Sequence, residues 1–211
     1  MEKDQFEAGK RRAQLRKEER KNQKNLDPEI EKEARQLLSD GAPLINIPSL
    51  ANPYSILMEH TKLQNCEITQ PQTANLANQI FGGFLMRRAF DLAFATAYVF
   101  AGARPRFVGV DAVAFTIPVN VGDLTNFQAQ IIYSDVHDDA RGFSLYKGMC
   151  NGLISVEVYA WIVQPEHSSA KLSNKFVYNF AVDVDSNKLR KVLPSNMEEA
   201  RKMAIACENH K

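Results

Sequence analysis

Two glycines and a carboxylate are the first residues in this chain whose types and spacing suggest chemistry. They lie in NQIFGGFLMRRAFDLAFATAYVF, residues 78–100, an apolar run that holds only Arg87, Arg88 and Asp91 as charges. Gly82 and Gly83 stand where a helix would begin. Without a Cβ they let a backbone or a ligand approach closely. The first amides of a helix lack partners, and the macrodipole adds partial positive charge there. A carbonyl oxygen becoming an oxyanion is suited to that place. Asp91 is eight residues beyond Gly83, about 12 Å along a helix axis. It is therefore too far to act at its own glycines, but a second helix packed antiparallel would bring its copy of Asp91 close. The competing reading is an intrahelical ion pair, since Arg87 precedes Asp91 by four residues and Arg88 by three.

The elements around this helix follow from periodicity. The helix spans 83–100 and is apolar on nearly every face, so one sheet alone cannot cover it. Strands are expected at 63–69, 107–117, 124–136, 143–152 and 153–164, with a short one in KFVYNFAV. Ile154, Val156, Val158, Ala160 and Ile162 alternate on one face. Strands that follow one another without intervening helices form an antiparallel sheet. The segment 70–81 reads as a polar loop, and 198–208 as a weak terminal helix.

The N-terminal 50 residues are a charged arm and linker. KRRAQLRKEERKNQK and PEIEKEARQLL carry good helix formers but few large apolar groups. They read as two exposed helices or a disordered arm that buries little. Acids interleaved among the bases favour a solvated linker over a nucleic-acid patch. The chain thus divides into an arm at 1–50, a core domain at 57–185 and a tail at 186–211.

Composition narrows the classes. Lys and Arg total 26 against 25 Asp and Glu, which gives no general pull toward nucleic acid or anionic membrane. No stretch is long and apolar enough for a membrane span. Three scattered cysteines and four scattered histidines show neither a disulfide framework nor a metal-ligand spacing, so no metal and no cofactor is expected. The first residues show no secretory signal, and their acids make a poor mitochondrial transit peptide.

Taken together, KLQNCEITQPQ, NQIFGGFLMRRAFDLA and RPRFVGVDAVAFTIPVNVGDL resemble hotdog-fold acyl-CoA thioesterases. The likeness is greatest to the second hotdog domain of the mitochondrial two-hotdog type. It covers residues 57–165 well and the arm loosely. The resemblance implies an α+β hotdog fold, in which an antiparallel sheet wraps a long central helix. It implies hydrolysis of acyl-CoA to fatty acid and CoA at sites between paired hotdogs, in a homodimer or higher even oligomer. Asp91 would orient or deprotonate the attacking water; it stands one residue after the place, here Phe90, where the family most often has its helix carboxylate. Gln79 or Asn78 would hold the water or the thioester. The Gly83 amide would stabilise the oxyanion, with Gly82 beside the substrate. Arg104 and Arg106 would pair with CoA phosphates. A mitochondrial address follows from the family, and a cytoplasmic one from the N-terminus. The non-catalytic counterpart is a hotdog that binds acyl-CoA or pairs with a full-length relative.

Overall fold

The computed structural model describes residues 28–76, 78–136, 150–184 and 189–210. The basic cluster at 10–24 and most of the strand expected at 143–152 lie outside them. In chain order the elements are helix α1 (Pro28–Asn46), strands β1 (Ser55–Leu57) and β2 (Leu63–Ile68), helix α2 (Gly82–Ala101), strands β3 (Arg106–Phe115), β4 (Leu124–Val136), β5 (Gly152–Gln164), β6 (Ser169–Val182) and β7 (Lys191–Leu193), and helix α3 (Met197–Asn209).

The main sheet has the order β2-β4-β5-β6-β3, and every neighbouring pair is antiparallel. It is open, with β2 and β3 at its edges. α2 lies across one face and touches β2, β4, β5 and β6. The alanines at 89, 93 and 97 recur every four residues and are fully buried, so the helix axis sits close to the sheet. Phe127, Ile131, Val156, Val158, Tyr178 and Phe180 form the facing layer. Burying one such side chain contributes roughly 1.5–3 kcal/mol. α2 ends at Gly102, whose φ of 65° is left-handed and whose N–H donates to the Tyr98 carbonyl.

β3 is the irregular strand. Its register against β6 slips between Phe107 and Gly109 and again between Val110 and Ala112. Each bulge inserts one residue and resets the alternation. Phe107, Val110 and Val113 therefore all fall on the face shared by Phe180, Tyr178 and Phe176, their partners on β6.

The second face of the sheet carries α3, with α1 packed on it and the small parallel pair β1–β7 alongside. The expectation that the arm buries little fails for residues 28–46. Ala34, Leu37 and Gly41 are buried, with Ile30 and Leu38 half-buried beside them. These few apolar residues recur at three and four, so they form one stripe that fits the buried Ala200, Met203 and Ala204 of α3. Arg201 of α3 donates to both carboxylate oxygens of Glu31. Gly41 marks the closest approach, because a Cβ there would run into the Pro194 carbonyl oxygen. Gly41→Ala is expected to destabilise the chain by about 1–3 kcal/mol, the usual cost of overpacking. Urea unfolding reads this as a lower midpoint at unchanged slope.

Candidate functional site

The glycine pair begins α2, as its residue types suggest. Phe81 precedes it in extended conformation and its carbonyl accepts from the Phe84 and Leu85 N–H groups. The Gly82 and Gly83 amides lie ahead of any turn that could supply an acceptor. The two glycines differ in surroundings. A Cβ on Gly82 would stand 2.9 Å from Cε1 of Phe115, so a side chain there would displace that ring. A Cβ on Gly83 would meet nothing within 4 Å. Gly83 is thus the open one, available to a ligand.

The preceding loop is built by a residue that sequence reasoning passed over. Oδ1 of Asn75 accepts from the Gln79 N–H at 3.1 Å, the Asn75 N–H donates to the Gln79 carbonyl, and the Asn75 carbonyl accepts from the Asn78 N–H. An Asn side chain that closes its own turn is a legible signal, but two asparagines three residues apart, Asn75 and Asn78, hid which one did so. Asn78 takes φ 60°, a left-handed value that Asn tolerates better than most residues. Gln79 bridges to Asn120, and Ile80 donates to the Val119 carbonyl. The loop is therefore tied to the turn after β3, and Asn78, Gln79 and Gly83 are held at one end of α2.

Asp91 is elsewhere. It lies on the exposed side of α2, where its Oδ1 is 3.0 Å from Nε of Arg87. The expected four-residue ion pair forms. Arg88 instead donates from Nε to Oε2 of Glu67 on β2 at 2.7 Å, which ties the helix to the sheet edge. Beneath Asp91, Tyr178 donates from its hydroxyl to the Met86 carbonyl at 2.8 Å. Burial, then the Asp91 charge, push the Tyr178 phenol well above its ordinary value, so it remains a neutral donor. Arg104 and Arg106 follow the far end of α2, about 30 Å of helical rise from Gly82. Within one copy they do not meet the glycine pair.

Among the described residues no three His, Cys, Asp or Glu side chains converge on a metal position, and no helix is long and apolar enough to cross a membrane.

The fold recurs in solved structures. An acyl-CoA hydrolase of Staphylococcus aureus, solved with butyryl coenzyme A, coenzyme A and coenzyme A disulfide, superposes with a TM-score of 0.62. It is 21% identical and covers 74% of this chain and 88% of its own. No family model matches the chain. Sequence similarity is closer to two proteins of Humulus lupulus. The mitochondrial acyl-coenzyme A thioesterase 4 is 40% identical over 91% of the chain, and the chloroplastic acyl-coenzyme A thioesterase 2 is 36% identical over 94%. This chain is a hotdog-fold relative of the acyl-CoA thioesterases. It spans 36% and 45% of the length of those two relatives.

One further feature of this hotdog borders the glycine site. β3 runs back along α2 from Phe107 to Phe115, yet α2 does not cover it. Phe107, Val110, Val113 and Phe115 stay 37–42% exposed on the helix side of the sheet. They form an apolar strip along the edge strand, beginning beside Gly82 where the Phe115 ring rests. The sequence marked the strand but not the apolar strip, because period two alone does not reveal bulges.

Proposed function

We propose that this hotdog hydrolyses acyl-CoA thioesters to free acid and CoA when paired with a second hotdog. The observation that carries the reading is Gly83, exposed in the first turn of α2 with open space where a side chain would stand and with the apolar strip of β3 nearby. It offers an oxyanion donor and an acyl-binding surface in one place. The thioester carbonyl sits at Gly83, beside Gly82. Gln79 or Asn78 holds the water or the thioester. Water adds to the carbonyl carbon, the tetrahedral oxyanion is held by the Gly83 amide, and its collapse expels the CoA thiolate. Asp91 of the second hotdog orients that water or takes its proton. Arg104 and Arg106 stand too far from their own Gly83, so any phosphate they hold belongs to CoA in the partner's site.

Pairing is supported by the surface. β3 is an edge strand with an unpaired side, and its apolar residues are half covered. Val99 and Tyr98 are exposed on the outer side of α2. Edges and patches of this kind are covered in most soluble proteins. Light scattering is expected to give at least twice the 23.8 kDa chain mass. A stable monomer at micromolar concentration would count against pairing. The second hotdog is another copy of this chain or, as in the two-hotdog type, a neighbouring domain. The mitochondrial name of one hop relative supports a mitochondrial address, which cell fractionation tests.

The deciding experiment follows release of free thiol from acyl-CoAs by the full chain, with oligomeric state measured alongside. Turnover in the associated form supports the reading. The Arg87–Asp91 contact favours the alternative, an acyl-CoA-binding hotdog without chemistry, since it engages the carboxylate already. Binding without turnover would select that alternative.

A further inference from the structure

We infer that the buried hydroxyl of Thr69 fixes the orientation of Asn78 and Gln79, through a chain of hydrogen bonds that crosses two peptide planes. Thr69 is thus a positioning residue. Its effect on turnover rests on the thioesterase reading; its effect on the loop does not.

Three stretches far apart in sequence meet at one junction: CEITQPQ at the end of β2, NQIFGG at the start of α2, and PVNVGDL after β3. Thr69 directly follows β2 and is only 3% exposed. The turn at Asn120–Asp123 is closed twice. The Asp123 N–H donates to the Asn120 carbonyl at 3.3 Å, and the Asn120 N–H donates to Oδ2 of Asp123 at 2.8 Å. Gly122 takes φ 88° at the third position of this turn, where a positive value favours Gly. Two backbone bonds fasten the turn to the end of β2. The Thr69 N–H donates to the Asp123 carbonyl at 3.1 Å, and the Gly122 N–H donates to the Thr69 carbonyl at 3.0 Å.

The Thr69 hydroxyl adds a link of a different kind. Its Oγ1 donates to the Asn120 carbonyl at 2.6 Å, with the Asp123 carbonyl next nearest at 3.2 Å. The Asn120 carbonyl and the Val121 N–H belong to one peptide unit, which is planar and rigid. That N–H donates to the Asn78 carbonyl at 3.3 Å. The Asn78 carbonyl and the Gln79 N–H share the next peptide unit, and this N–H donates to Oδ1 of Asn75 at 3.1 Å. One line of donors thus runs from Thr69 through both units to Asn75. In such a line each bond polarises and strengthens its neighbours.

Removing the hydroxyl leaves the Asn120 carbonyl with the long bond from Asp123 alone. Asn120 is exposed, so its carbonyl can regain a partner by turning toward water. The peptide unit moves as one body, and that turn swings the Val121 N–H off the Asn78 carbonyl. Asn78 is held at φ 60°, a strained value for a residue with a side chain, and it relaxes once its carbonyl is released. Asn78 and Gln79 then leave the positions they hold ahead of Gly83. A displacement of about 1 Å at a reacting group can cost roughly 100-fold in rate.

The test compares the full wild-type chain with Thr69→Val, which keeps the shape and loses the hydroxyl, and Thr69→Ser, which keeps the hydroxyl. Thr69→Ala replaces the valine variant if that one does not fold. Amide hydrogen exchange is followed at Val121, at Gln79 and along β5. Thr69→Val should speed exchange at Val121 and Gln79 by about tenfold, the scale of one lost hydrogen bond, and by more than along β5. Thr69→Ser should leave both amides near the wild-type rate. With octanoyl-CoA, kcat/KM should fall by about tenfold or more for Thr69→Val, mostly in kcat, and Thr69→Ser should restore it to within about threefold. A purely structural role predicts exchange that rises by the same factor at Val121, Gln79 and β5, and that result overturns the inference. Unmoved exchange at Val121 and Gln79 also overturns it. Faster exchange at these two amides with unchanged kcat removes the positioning role and leaves the thioesterase reading intact. If the wild type turns over no acyl-CoA, the thioesterase reading falls, and exchange alone decides whether Thr69 orders the loop.

Discussion

Glu157→Ala is expected to lower the unfolding free energy by about 3–5 kcal/mol, the scale for removing one member of a buried ion pair. Glu157 lies on β5 with its side chain toward α3 and is only 1% exposed. Its Oε1 is 2.5 Å from the Lys175 ammonium, and its Oε2 is 3.4 Å from that of Lys202. The second contact is an ion pair without hydrogen-bond geometry, and Oε2 has no other donor. The Tyr159 ring packs against both lysines, which limits their access to water. Burial pulls the Lys175 ammonium down, but the charge and hydrogen bond of Glu157 outweigh it and leave it above the ordinary 10.5. Burial also pulls the Lys202 ammonium down, but the Glu157 charge and a hydrogen bond to Glu198 outweigh it and hold it high. A group raised on folding adds stability that is complete below its unfolded value and is lost only as pH climbs through the folded one. The Glu157 contribution should therefore be flat through neutral pH and fade only above about 10.5, where lysines in the unfolded chain begin to deprotonate. Urea unfolding at fixed protein concentration measures both effects. A loss below about 1 kcal/mol would class the cluster with exposed pairs.

Legibility in the sequence follows the range of the interactions. Periodicity places β4 at 124–136 and the strand forms at Leu124–Val136, because period two is a local property and each of its ends is marked by turn residues or charge. α2 was legible for the same reason, as was the Arg87–Asp91 pair, a contact one helical turn long. The partner of Arg88 is Glu67, 21 residues away on another element, and nothing local announces it. β6 begins at Ser169, six residues before the expected KFVYNFAV, because its polar first half is a strand only by virtue of pairing with β5. Docking of α1 was missed because its apolar stripe is thin, and its partner α3 lies at the other end of the chain. At the candidate site, the glycine pair was legible from residue type. The role of Asn75, the apolar strip on β3 and the distance from Arg104 and Arg106 to Gly83 depend on chain reversals that composition and spacing do not encode.

Asp91→Asn is expected to lower turnover by about 100-fold or more while leaving assembly size and fold unchanged, the usual worth of a positioned acid or base. The substitution keeps the side chain's shape and removes its charge. Its structural cost should be small. The Arg87–Asp91 pair is solvated, with side chains 72% and 44% exposed, and exposed pairs contribute at most about 1 kcal/mol. A large loss of rate with a small loss of stability would separate chemistry from packing. The companion variant Arg87→Ala sharpens the comparison. It removes the same ion pair but leaves the carboxylate. If the pair alone matters, both variants should behave alike. If Asp91 serves the water at the partner's Gly83, Arg87→Ala should retain far more activity than Asp91→Asn. The wild-type rate must be measured first, because an inactive wild type already selects the binding-only hotdog. A folded, associated Asp91→Asn chain that hydrolyses acyl-CoA at the wild-type rate would remove Asp91 from the mechanism and leave it as the partner of Arg87.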